Sequence, residues 1–377
     1  MSKIGLVLSG GGARGAYQVG VLLGISEIAK AMGQESPIKI YTGVSAGAIN
    51  SSFLACNQGT LNEACVYLTD IWKNLESQKV FRSDVASLGR IGFKWIEELS
   101  FGALTGTTPG KALLDTSPLR SLIDLHFKPD KLEENIRSGH IESLAVSAVD
   151  YKRTSTVTFV QGQDNLQMWS KARRHGETAK INTDHIMASS SIPIIFPPIK
   201  VGDRYFGDGC VRNSSPTSAA IHLGAEKLLI IGVRKEELTM DELLATQKPT
   251  APTVARVVNV ILDSVMLDGI EYDVERLSRI NKFVSNISAN CDQKLEFKKI
   301  DFCWFSPSKD IGQLAAEKSN RLPRMLRYLL KGLGSLNDAS ELISYLLFDP
   351  EFCSLLVEIG YEDAYQQKAN LERFFST

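Results

Sequence analysis

The sequence predicts an α/β fold: a mostly parallel sheet covered by helices, followed by a helical extension. Three observations carry this expectation. Strand-like and helix-like patterns alternate from residue 3 to about 235, the order that builds parallel strands through crossover helices. Two glycine-rich turns, Gly10 to Gly15 and Gly43 to Gly47, each join a strand-length apolar run to a helix-length run. After Lys248-Pro249-Thr250-Ala251-Pro252 the pattern changes to long helical periodicity.

Lys3 to Ser9 reads as the first strand, and the glycine turn leads into a helix beginning Ala16-Tyr17-Gln18-Val19. Ile38 to Tyr41 is the second strand and Ala48 to Ala55 the next helix. Residues 75 to 115 are less regular, and aromatics around Phe93, Trp95 and Phe101 suit either a lipid-facing loop or a local helix packed on the body. Strands follow at Leu144 to Val149 and Ser155 to Val160, then a hairpin with an Asp208-Gly209 turn. A helix over Ser215 to Leu223 and a strand over Lys227 to Val233 complete a unit spanning 1–240. The extension, 241–377, reads as helices from Val254 to about Asn281 and from Leu314 to Leu333, docked on that unit.

Ser45, in Gly43-Val44-Ser45-Ala46-Gly47, has the form of a nucleophile elbow. A serine on a tight strand-to-helix turn needs very small neighbours two residues away, and the helix N-terminus behind it favours developing negative charge. Gly10, Gly11 and Gly12 can turn several backbone N–H groups toward one point, as an oxyanion requires. Gly10, Gly12 and Gly15 also fit a dinucleotide fingerprint, but the second strand ends at Tyr41-Thr42 without the acidic residue that would hold a ribose. A phosphate-binding P-loop is excluded, because no Gly-Lys-Ser/Thr follows. Of five histidines only His222 lies beyond a plausible acid loop, and its place near a helix C-terminus reads as capping. Asp208 is the best candidate base, since a desolvated carboxylate can deprotonate a serine directly.

Glycine loop, serine elbow and Asp208-Gly209, in that order, resemble the patatin-like phospholipase family over roughly residues 3 to 235. Ser189-Ser190-Ser191-Ile192-Pro193 with Phe196-Pro197-Pro198 looks like the segment that family carries before its aspartate, and the ending from Ser344 through Tyr361 resembles the tail of some bacterial members. The resemblance implies a three-layer α/β fold. It also implies a Ser45–Asp208 dyad without histidine, an oxyanion hole from the Gly10–Gly12 loop with Gly11 and Gly12 as donors, and acyl esters of phospholipids or lysophospholipids as substrates. Cys210 departs from the family, which places a second small residue there. An esterase or thioesterase on soluble acyl substrates, and a non-catalytic lipid-binding module, are the alternatives.

With 377 residues and 44% hydrophobic content the chain can bury a large core. A net charge of −1 gives no support for nucleic-acid binding. The six cysteines lack metal spacing, no other metal motif appears, and no cofactor is expected. The N-terminus enters its first strand without a leader pattern, so a cytoplasmic location is expected, with peripheral contact at the inner membrane surface. That contact is expected on a basic face of Arg321, Arg324, Arg327 and Lys331, the alternative being a helix packed on the core with a solvated basic side.

Overall fold

The computed structural model describes residues 2–82, 112–164, 166–236, 251–288 and 298–376. The aromatic segment from Phe93 to Leu104 lies outside them. The strands, in chain order, are β1 (Ile4–Leu8), β2 (Ile38–Val44), β3 (Ser143–Asp150), β4 (Ser155–Gly162), β5 (Ser170–Lys171), β6 (Arg174–Thr178), β7 (Ile199–Val201), β8 (Arg204–Asp208), β9 (Lys227–Ile231) and β10 (Asp301–Phe305). They join one sheet in the order β10-β9-β1-β2-β3-β4-β6-β5, with the β7–β8 hairpin attached to β3. The run from β10 to β3 is parallel, while β4 and β8 pair antiparallel with β3.

Parallel strands buried on both faces need apolar residues at successive positions. In β1 Leu6 and Leu8 join the core on one face and Val7 the core on the other. The first face is covered by the helices Gly15–Ala31, Ala46–Ala55 and Pro350–Gln366, and the second by Thr217–His222 and Asp268–Ser288. The fold therefore has the three layers expected, with a mostly parallel sheet in the middle.

The sheet runs across residue 240. β10 pairs with β9 from Asp301↔Lys227 to Phe305↔Ile231, so the extension is helical in the main but also supplies a strand. Its Pro350–Gln366 helix crosses Gly15–Ala31 at backbone contact: a Cβ on Gly360 would lie 2.2 Å from the Tyr17 carbonyl oxygen. The helix expected over Leu314 to Leu333 is interrupted by Pro323. Ile311–Glu317 ends before a 3-10 turn at Ser319–Arg321, and Arg324–Leu333 starts after the proline. Arg321 is thereby taken off the basic face and paired with Glu351 and Asp349. Leu322, Leu326 and Leu330 are buried in the body, so the helix presents to solvent its basic side, with Tyr328 and Leu329, rather than its apolar one.

Candidate active site

One edge of β3 pairs with β4 along its length, and the other has two occupants. Along its first five residues that edge pairs with β2, ending at Val44↔Ser147. The next position, Ala148, pairs with Asp208 of β8. Where β2 leaves the sheet at Ser45, β8 arrives from the opposite direction, and Ser45 and Asp208 meet at the changeover. Parallel β1 and β2 end on the same side of the sheet, so the Gly10 to Gly15 loop reaches the same place, the crevice at strand C-terminal ends where α/β folds assemble sites.

Leaving a strand directly into a helix forces the elbow residue into a rare conformation. Ser45 has φ 56° and ψ −126°, in a region that side chains ordinarily avoid. Its flanking glycines are required by contact. A Cβ on Gly43 would sit 2.2 Å from the Gly47 carbonyl oxygen, and one on Gly47 would sit 2.4 Å from that of Leu8. Two serines hold the elbow from outside. Ser45 N–H donates to Ser189 Oγ at 2.9 Å, Ser189 donates to the Ser147 carbonyl at 2.6 Å, and Ser190 Oγ donates to the Ser45 carbonyl at 3.2 Å. The Ser189 to Ile192 segment also fixes the acid, because Asp208 N–H donates to the Ser191 carbonyl at 2.8 Å.

Asp208 is fully buried. Its Oδ1 accepts the Cys210 N–H at 2.9 Å, whereas Oδ2 has no hydrogen bond of good geometry. Desolvation pushes its pKa up to about 6, against the opposing hydrogen-bonding influence of Ser45 first and Cys210 second. The carboxylate is thus ionised at neutral pH and more basic than a solvated aspartate, the property a general base needs. Burial, with Asp208 beside it, raises the Cys210 thiol well above its ordinary range and keeps it neutral. Its sulfur fills the space beside Gly10: a Cβ there would lie 2.3 Å from Cys210 Sγ and 2.9 Å from Ser45 Cβ. The Gly10 amide faces that sulfur and works against the rise in the thiol's pKa.

The glycine loop is clamped from two sides. Gln18 Nε2 donates to the Ser9 carbonyl at 2.8 Å, Asn50 Nδ2 donates to Gln18 Oε1 and to the Gly15 carbonyl, and Trp72 Nε1 donates to Asn50 Oδ1 at 2.8 Å. On the other side Gly12, at φ 57°, packs against the Tyr345 carbonyl, which a Cβ would approach to 2.3 Å. Arg14, fully buried, donates to Ser344 Oγ at 2.7 Å and to the Val233 carbonyl at 3.2 Å and pairs with Glu341. Burial works against its charge, but Glu341, Tyr345 and Asp263 outweigh it and hold the guanidinium protonated.

Beside Ser45 and Gly12 opens a narrow apolar cavity of about 40 Å³, walled by Ile49, Phe53, Leu119, Leu122, Ile192 and Phe348. His222 does not line it; its ring stacks on Trp169 with 5.0 Å between centroids. His185 caps its own helix through Asn182 and abuts Phe159. Among the described residues no group of three His, Cys, Asp or Glu is placed to hold a metal ion. The Arg14 clamp was missed in the sequence, where only the arginine inside a glycine loop hints at it.

The patatin-like phospholipase family model matches residues 6–221, more than half of the chain. The chain belongs to the patatin-like phospholipase family, a class of lipid acyl hydrolases. No curated protein matches it. Among solved structures it is similar to VipD from Legionella pneumophila, at 14% identity over 98% of this chain and 67% of that one, with a TM-score of 0.37. Human GIVD cytosolic phospholipase A2 in complex with methyl gamma-linolenyl fluorophosphonate gives 11% identity over 99% of this chain and 60% of that one, with a TM-score of 0.38. ExoU from Pseudomonas aeruginosa, in complex with SpcU, gives 14% over 90% and 76%, with a TM-score of 0.29. The chain thus spans between 60% and 67% of the first two.

A buried, ionised Asp208 carries a stability signature. Its folded pKa lies above the unfolded value of 3.8, so ionisation costs the folded state free energy above about pH 6 and costs nothing below about pH 4. Asp208→Asn removes that cost while keeping an acceptor for Cys210 N–H. Urea unfolding should show the variant more stable than wild type by up to about 3 kcal/mol at pH 7.5, with the gain fading as pH falls from 6 to 4. A variant less stable at every pH would contradict the desolvated carboxylate.

Proposed function

We propose that this protein is a serine acyl hydrolase acting on the acyl esters of phospholipids or lysophospholipids. The observation that carries the reading is the changeover on β3, which sets Ser45 beside a buried Asp208 carboxylate and next to the glycine loop. Ser45 Oγ attacks the ester carbonyl carbon as Asp208 takes its proton. The oxyanion is met by the amides of Gly11 and Gly12, and collapse breaks the ester C–O bond. Asp208 returns the proton to the departing glycerol oxygen. A water molecule then attacks the acyl-serine, giving its proton to Asp208, and collapse frees the fatty acid and restores Ser45 with that proton. No histidine enters the sequence of steps.

A fluorophosphonate probe should label wild type at Ser45. Ser45→Ala should lose both labelling and ester hydrolysis while melting at an unchanged temperature. Full hydrolysis by the pure Ser45→Ala protein would end this reading.

For access to lipid we propose peripheral contact with an anionic bilayer, through an exposed apolar helix face. Helix Val254–Met266 leaves Val254, Val257, Val260 and Ile261 exposed, an apolar stripe unusual on a solvated surface. It packs near Gly209–Val211, just after the candidate base, and its start abuts Gly334 at the end of the Arg324–Leu333 helix. Arg256 on this helix, and Arg324, Arg327 and Lys331 on the Arg324–Leu333 helix that touches it, add positive charge. Among the described residues no helix is long and apolar enough to cross a membrane. Binding to anionic vesicles should exceed binding to zwitterionic ones, weaken with salt, and drop at least about tenfold when the four apolar residues become Ser. Equal binding by that variant would remove this face from the account.

A further inference from the structure

The cavity beside Ser45 is built largely by the first 240 residues, but Phe348 comes from beyond them. It sits in the short link between helices Ser340–Leu346 and Pro350–Gln366. Its carbonyl accepts the Ser77 hydroxyl at 2.9 Å, and Asp349 beside it caps the following helix through Glu351 and Phe352 N–H. Its ring stacks on Trp72, with 6.4 Å between centroids and 29° between planes, and meets Phe81 edge-on at 6.2 Å. Phe81 in turn packs on Phe196. Four aromatic rings on four separate segments therefore brace one another, and a braced ring does not yield readily to a guest.

Size decides what this wall does. The free space of about 40 Å³ equals on the order of three water-sized positions. A long acyl chain lying beside Ser45 therefore runs against this aromatic wall. Trp72 is pinned through Asn50 to the glycine loop, so its movement would disturb the loop itself. Phe348 has no polar side-chain tie and belongs to the segment that also carries Glu341 and Tyr345 onto Arg14 and Gly12.

Building on the acyl hydrolase reading, we propose that Phe348 determines specificity: it closes the acyl pocket and sets how readily longer acyl chains are accepted. The segment of Glu341, Tyr345 and Phe348 then serves two functions, bracing the glycine loop and measuring the substrate.

The test pairs hydrolysis with binding in wild type, Phe348→Ala and Phe348→Leu. Hydrolysis is followed as kcat/KM on p-nitrophenyl butanoate, octanoate and dodecanoate. Binding of the matching free fatty acids is followed by quenching of tryptophan fluorescence, to which Trp72 contributes from the pocket wall. The dodecanoate-to-butanoate ratio of kcat/KM should rise at least about tenfold in Phe348→Ala and less in Phe348→Leu, with dodecanoate affinity rising in parallel. An unchanged ratio in Phe348→Leu and in Phe348→Ala, both melting cooperatively, overturns the proposal and leaves the hydrolase reading standing. Absent hydrolysis in wild type, with dodecanoate binding still gained on truncation, sinks the hydrolase reading and retains Phe348 as the wall. Neither hydrolysis nor fatty-acid binding in any variant overturns both.

Discussion

The handover along one edge of β3 is the constraint on which the rest depends. A strand edge can satisfy its hydrogen bonds with β2 or with β8, and here it does so with each in turn, changing between Ser147 and Ala148. For β2 to leave there, Ser45 must take a backbone conformation that costs of order 1–3 kcal/mol. Gly43 and Gly47 must be bare so that the helix starting at Ala46 can close against β1. For β8 to arrive there, Asp208 must be carried into a dry place, which raises its proton affinity. Strain at the serine and desolvation at the aspartate are two consequences of the same exchange of partners.

Such a site needs support from elsewhere, and much of it comes from the last third of the chain. β10 adds a strand to the parallel sheet, Pro350–Gln366 covers the helix that follows the glycine loop, and Glu341 neutralises the buried Arg14. A buried guanidinium without its carboxylate is a costly species. Arg14 therefore ties the conformation of the loop holding Gly11 and Gly12 to correct docking of residues 327 positions away.

What was legible in the sequence was local. The glycines around Ser45 and the glycine run after β1 each announce a backbone requirement within a few residues and lie where expected, whereas the hairpin turns between Val201 and Arg204 and Asp208-Gly209 instead ends its second strand. The alternating patterns likewise foretold a mostly parallel sheet. Less legible was whatever depends on distant pairing. Asp301–Phe305 is a five-residue strand set among helices, and only the free edge of β9 makes it one. The Arg14–Glu341 pair has no local signature. Helical spacing alone puts Arg321 on the basic face, but Pro323 ends that pattern and Arg321 turns toward Glu351.

The central claim is that a desolvated Asp208, without histidine, activates Ser45. The pH dependence of kcat/KM on a soluble ester tests it most directly, because that profile reports ionisation in the free enzyme. A single acid limb is expected, with activity falling as pH drops through about 6 and Asp208 becomes protonated, and this limb should persist unchanged in His222→Gln and in His185→Gln. A limb near the ordinary aspartate value of 3.8, or one abolished by either histidine substitution in a folded protein, would contradict it.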